Sequence, residues 1–118
     1  MPPVAYPRYV AYDEGLADRV REQIGEDLSL SERRMFGGLA FMASGNMCFA
    51  VSGDGLLVRV GPEEYETLLT LPFVSEMDLT GRPLRGLVIV DGEGLAEDGA
   101  LRGWLDRGIA FTDSLPPK

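Results

Sequence analysis

The sequence contains no histidine. This excludes Ser-His-Asp triads, imidazole zinc sites and the usual general base at neutral pH. Cysteine is almost as scarce. Cys48 stands alone, so neither an intrachain disulfide nor a cysteine zinc cluster can form. Lysine occurs only at Lys118, and every other basic residue is arginine. No apolar run reaches the length of about 18 residues that a spanning helix needs. The leader Met1-Pro2-Pro3-Val4-Ala5-Tyr6-Pro7 reads as neither signal peptide nor membrane anchor. A cytoplasmic protein with no membrane partner is the expectation.

Positive charge is also in deficit. Eleven basic residues face nineteen acidic ones, for a net charge of -8. That balance opposes direct nucleic-acid binding, because phosphates must be neutralised by Lys and Arg. What is present is ordinary globular material: 45% hydrophobic and 25% charged residues over 118 positions, enough for one domain with a single core.

Three prolines before residue 8 make residues 1–11 an extended arm, and residues 12–118 the domain. Asp13 is a plausible N-cap for a helix carrying Leu16, Ala17, Val20 and Ile24 on one side, with Gly25 as its stop. The polar segment from Glu26 to Glu32 reads as a connection. Met35 to Ala43 then reads as one strand with Arg33-Arg34 at its entrance, apolar on both alternate sets, Met35, Leu39 and Phe41 to one side and Phe36, Ala40 and Met42 to the other. Met47 to Val51 and Leu56 to Val60 follow across short turns, which makes an antiparallel meander. Gly61-Pro62-Glu63-Glu64 starts a short helix, with Pro at its first position and acids near the positive dipole end. Glu76 to Leu79 and Leu84 to Val90 are two further strands. A last helix from about Glu97 to Ser114 has Leu101, Trp104, Leu105, Gly108, Ile109 and Leu115 marking its buried stripe. The fold class is α+β: an antiparallel sheet of about five strands in the order α-β-β-β-α-β-β-α.

The strands carry one physical demand. A sheet with one wet face alternates apolar and polar residues, yet Met35 to Ala43 and Leu87 to Val90 hardly alternate. Three helices are thin cover for two faces. Either the sheet curls or a second copy covers the remainder, and a homodimer is the expectation.

The runs Arg34-Met35-Phe36-Gly37-Gly38-Leu39-Ala40-Phe41, Gly45-Asn46-Met47-Cys48 and Leu57-Val58-Arg59-Val60-Gly61 together resemble the N-terminal domain of the TfoX/Sxy competence-regulator family. Asp78-Leu79-Thr80-Gly81-Arg82-Pro83-Leu84-Arg85-Gly86 and the ending from Ala110 to Lys118 are similar too. The resemblance implies a fold related to the secretion-chaperone and YjbR-like domains. It also implies a regulatory role around the transcription of DNA-uptake genes. In full competence regulators a second, C-terminal domain follows and the protein acts as a co-activator, whereas this sequence ends at Lys118.

The remaining features are weighed against blander readings. Gly37-Gly38 lacks the Gly-Lys-Ser/Thr of a phosphate loop, and a bulge or close backbone approach explains it better. Cys48 has no adjoining base to lower its pKa, and Met35, Met42 and Met47 are core fillers. The acids Glu63, Glu64, Glu66, Asp91, Glu93, Glu97 and Asp98 lack calcium-loop spacing and read as solvation. No cofactor and no metal is expected. The arginines remain. Arg59, between Val58 and Val60, must reach solvent, a carboxylate or a partner. In an up-down-up meander Arg34 and Arg59 fall at opposite ends, so a single patch of all five arginines is not expected. The candidate binding residues are Arg33, Arg34, Met35, Phe36, Gly37 and Gly38 at the strand entrance, Arg59, and Arg82 and Arg85 about a hairpin turn. Two function classes follow: a non-enzymatic adaptor that binds another protein, or a small ligand-binding or enzymatic domain of unknown substrate.

Overall fold

A computed structural model describes residues 12–25, 30–35, 37–78 and 83–118. The arm expected at residues 1–11 lies outside them, as do Phe36 and Arg82. Helix α1 (Glu14–Ile24) begins as its sequence suggests: the Asp13 carboxylate accepts the Leu16 N–H at 3.1 Å, and Gly25 closes the helix at φ +59°.

Six strands follow, close to the five expected: β1 (Leu30–Met35), β2 (Gly38–Ala43), β3 (Asn46–Ser52), β4 (Gly55–Arg59), β5 (Val74–Asp78) and β6 (Pro83–Val90). The additional strand comes from the stretch read as a single strand. Gly37, at φ +72°, turns the chain, and β1 pairs back on β2 with Met35 opposite Gly38 and Leu30 opposite Ala43. Residues 30–32 therefore belong to a strand and not to a connection. Ser31, Glu32, Arg33 and Arg34 are all exposed, so this strand carries no apolar signature. That composition suits a sheet edge, where charge discourages pairing with other chains.

The sheet order is β1-β2-β3-β4-β6-β5, antiparallel throughout. A short helix α2 (Tyr65–Leu68) precedes β5, a 3-10 turn occupies Gly92–Leu95, and α3 spans Asp98–Asp113. Among the described residues no helix is long and apolar enough to cross a membrane.

Register decides which face each strand residue serves. Leu39, Phe41, Phe49, Val51, Leu56, Val58, Val88 and Val90 pack with Leu16, Val20, Leu101, Trp104 and Leu105 of α1 and α3, so the helices cover one face. Gly108 lets α3 approach closely, since a Cβ there would stand 2.6 Å from the Cys48 carbonyl oxygen. The other face carries a separate cluster of Ala40, Met42, Met47, Ala50, Leu57 and Met77. A bulge builds part of it. Phe41 faces Phe49 while Met42 faces Met47, so Cys48 is the extra residue and Met47 is re-aimed to the second face. Met35, expected to share a side with Leu39 and Phe41, instead packs against this second cluster, because the turn at Gly37 puts it on another strand.

Candidate functional site

Arg33 of β1 stands opposite Ala40, Ala40 opposite Ala50, Ala50 opposite Leu57, and Leu57 opposite Ile89. Directly paired residues share a face, so Arg33 stands over the second cluster. Arg59 lies two residues beyond Leu57 along β4, on that same face. Arg33, Arg59 and Arg85 line one open groove of about 590 Å³, together with Met35, Met42 and Met47. Lys118, Leu84, Leu87 and Phe111 complete its walls. In a flat sheet β1 and β6 would be four strand spacings, roughly 19 Å, apart. That both line one groove means the sheet curves toward this face.

The charges of the groove are largely unmatched. Among the described residues, neither Arg33 nor Arg59 has a carboxylate within salt-bridge distance. The Arg59 guanidinium instead lies over Phe111, with Cζ 5.5 Å from the ring centroid. Arg85 donates to Glu66 at 3.1 Å, but both side chains are well exposed and the pair is weak. Arg85 also lies over the ring of Tyr65 at 5.7 Å. The Tyr65 hydroxyl is buried with no well-formed hydrogen bond, and Glu76 acts on it as both charge and acceptor. Burial, then the nearby Glu76 charge, pushes its phenol above the ordinary value.

The C-terminal tail supplies the fourth cation. The buried Asn46 side chain donates to the Pro116 carbonyl at 3.0 Å, and the Lys118 N–H donates to the Ser44 carbonyl at 2.8 Å. Ser44 and Gly45, at φ 52° and 83°, make the tight β2–β3 turn on which this tail rests.

A second, larger cavity of about 670 Å³ lies beyond Phe111, between the start of α2 and the end of α3. Among the described residues its one cation is already paired: Arg107 donates to Glu64 at 2.8 Å, while of the other acids Asp106 holds Arg102 at 3.0 Å. The groove is the better candidate because its cations are available. Among the described residues no group of three His, Cys, Asp or Glu side chains could hold a metal ion. Cys48 is fully buried in the helix-side core, its Sγ 3.0 Å from the Thr112 hydroxyl.

The structure therefore divides the expected site residues. Arg33, Met35, Arg59 and Arg85 come together. Arg34 is paired with Leu39, which places it on the helix side of the sheet edge, away from the groove. Gly37 forms the turn, and Gly38 is needed because a Cβ there would overlap the Val51 carbonyl oxygen. Met42, Met47, Leu87, Phe111 and Lys118 were not anticipated as site residues. The methionines read correctly as core fillers, and nothing in the periodicity shows that their far side faces a groove.

A family model for the TfoX N-terminal domain matches residues 22–112. The chain belongs to that family. The match takes in all six strands, most of α3 and every groove residue except Lys118. No curated protein and no solved structure matches the chain.

Proposed function

We propose that this TfoX N-terminal domain is a non-enzymatic adaptor, acting in the regulation of DNA-uptake genes by binding another protein. The observation that carries this reading is the convergence of Arg33 and Arg59, without carboxylate partners among the described residues, over a floor of methionines. Fixed donors beside adaptable apolar surface suit recognition. They supply neither a nucleophile nor a proton acceptor, and the sequence has no histidine to serve as base.

The test is capture from native lysate by the immobilised domain and by an Arg33→Ala/Arg59→Ala double variant. The expected result is one or a few proteins retained by the first and lost by the second, with melting temperatures within about 2 °C of each other. Equal capture by both would remove the groove from the function.

A further inference from the structure

Resting on that reading, we infer that the groove takes an acidic, amphipathic peptide segment of the partner protein, held extended across the curved sheet face. Four cations, Arg33, Arg59, Arg85 and Lys118, line one concavity in a chain whose net charge is -8. They favour an anionic occupant, although Arg85 already shares Glu66. Arg59 lies over the Phe111 ring, 5.5 Å from its centroid, and its guanidinium carries five N–H donors in a planar fork. That planar fork matches a carboxylate in two parallel hydrogen bonds.

The floor narrows the class. Met35, Leu84, Leu87 and Phe111, all half-buried, would gain little cover from a small inorganic anion, whereas Met42 and Met47 are already buried. A nucleic-acid backbone would find four cations but gain nothing from thioethers, and the overall negative charge would repel it. A bilayer is flat and cannot enter a concave face. A peptide that alternates carboxylates with apolar side chains satisfies both walls and floor. Flexible thioethers adapt to different apolar side chains, which suits a surface that reads pattern rather than one exact sequence. Spanning β1 to β6, roughly 19 Å when flat, takes about six extended residues at ~3.3 Å each.

Three fluorescein-labelled probes test this by anisotropy at low ionic strength: a peptide alternating Glu with Leu and Phe, an all-Glu peptide of equal charge, and the first peptide with Lys in place of Glu. The Glu/Leu/Phe peptide is expected to bind at least about tenfold more tightly than either control and to weaken as salt rises. Arg33→Ala and Arg59→Ala should each lower its affinity about fivefold, the usual effect of removing one charged contact. Met47→Gln should lower it without changing the salt dependence. Arg59→Lys keeps the charge but lacks the fork, and should behave like Arg59→Ala if carboxylate pairing is the basis. The inference is overturned if the all-Glu peptide binds as well, if single-stranded DNA of equal charge competes equally, or if the arginine variants bind unchanged. It is also overturned if the peptide fails while lysate capture still needs Arg33 and Arg59, and that outcome leaves the recognition reading intact. Loss of arginine dependence in both assays ends both.

Discussion

The guanidinium of Arg59 lies over the ring of Phe111, and that ring rests on the bare backbone of Gly61. A Cβ at Gly61 would stand 2.5 Å from a Phe111 ring carbon. Gly61 also holds φ +85°, and its N–H donates to the Gly86 carbonyl at 3.1 Å. One glycine thus seats an α3 aromatic against β4 and β6, forming the wall between groove and larger cavity.

Gly61→Ala should therefore destabilise through two causes, the left-handed backbone and the overlap with Phe111. A loss of about 2–3 kcal/mol in urea denaturation is expected. Adding Phe111→Ala removes the overlap but not the backbone strain, so the double variant should lose less than the sum of the singles. Strict additivity would show that the ring does not bear on Gly61.

Much of this fold is legible in the residues themselves. The Asp13 cap, the stripe of α3 and the turns after Ala43 and Ser52 follow from local chemistry, and the structure has them. The reversal at Gly37 was not legible, because apolar residues flank it on both sides and β1 shows no alternation. That omission also concealed the site. With Arg33 and Arg34 read as a strand entrance, nothing indicated that adjacent residues of one strand point to opposite faces, one into the groove and one away. The position of Lys118 depends on where an aperiodic tail is anchored, which composition and periodicity do not encode.

Arg21 donates to both Glu32 carboxylate oxygens, at 2.7 and 2.9 Å, tying α1 to edge strand β1. These hydrogen bonds hold the Glu32 carboxyl below its ordinary 4.5 and raise the Arg21 guanidinium. A depressed folded-state value stabilises above 4.5, and that stability is lost as pH falls through the lowered value. Both side chains are about two-fifths exposed, so Glu32→Gln should cost at most about 1 kcal/mol at neutral pH. The difference between the two proteins should shrink in acid. A difference that stays constant with pH would assign it to something other than this ion pair.

Tyr65 offers the opposite sign. Its raised phenol favours the neutral form in the folded chain, so the associated stability is present below the ordinary value of 10.0 and is lost as pH rises beyond it. Absorbance titration of the folded protein should show a tyrosine ionising above the ordinary value of 10.0. Tyr65→Phe should abolish that step and, by removing a buried hydroxyl without a well-formed hydrogen bond, leave neutral-pH stability equal or slightly higher. A marked loss of stability would reveal a hydrogen bond to that hydroxyl.

The homodimer proposed from the two-sided strands has a narrower basis once the fold is known. Ala40, Ala50 and Leu57 on the second face are 0–1% exposed within one chain. Among the described residues the large apolar side chains left exposed are Leu71 and Phe73, at the entry to edge strand β5. Light scattering should then give a dimer mass for the parent protein at tens of micromolar, and a monomer mass for Phe73→Ser. A monomeric parent ends the proposal.

Asn46 connects stability to recognition through the tail. Its buried amide donates to Pro116, and Lys118 then donates to Ser44 and stands at the groove. Asn46→Ala leaves the Pro116 carbonyl without that donor and should cost about 1–2 kcal/mol of stability. With its anchor gone, Lys118 should no longer be held beside the groove. Affinity for the Glu/Leu/Phe peptide should then fall about as far as it does in Lys118→Ala, which itself should hardly change stability because the side chain is exposed. Combining the two substitutions should weaken binding no further than either alone, since both remove the same charge from the same place. If Asn46→Ala lowers stability while peptide affinity is unchanged, the tail serves only to fasten the β2–β3 turn. If the two losses add, Lys118 reaches the groove without Asn46.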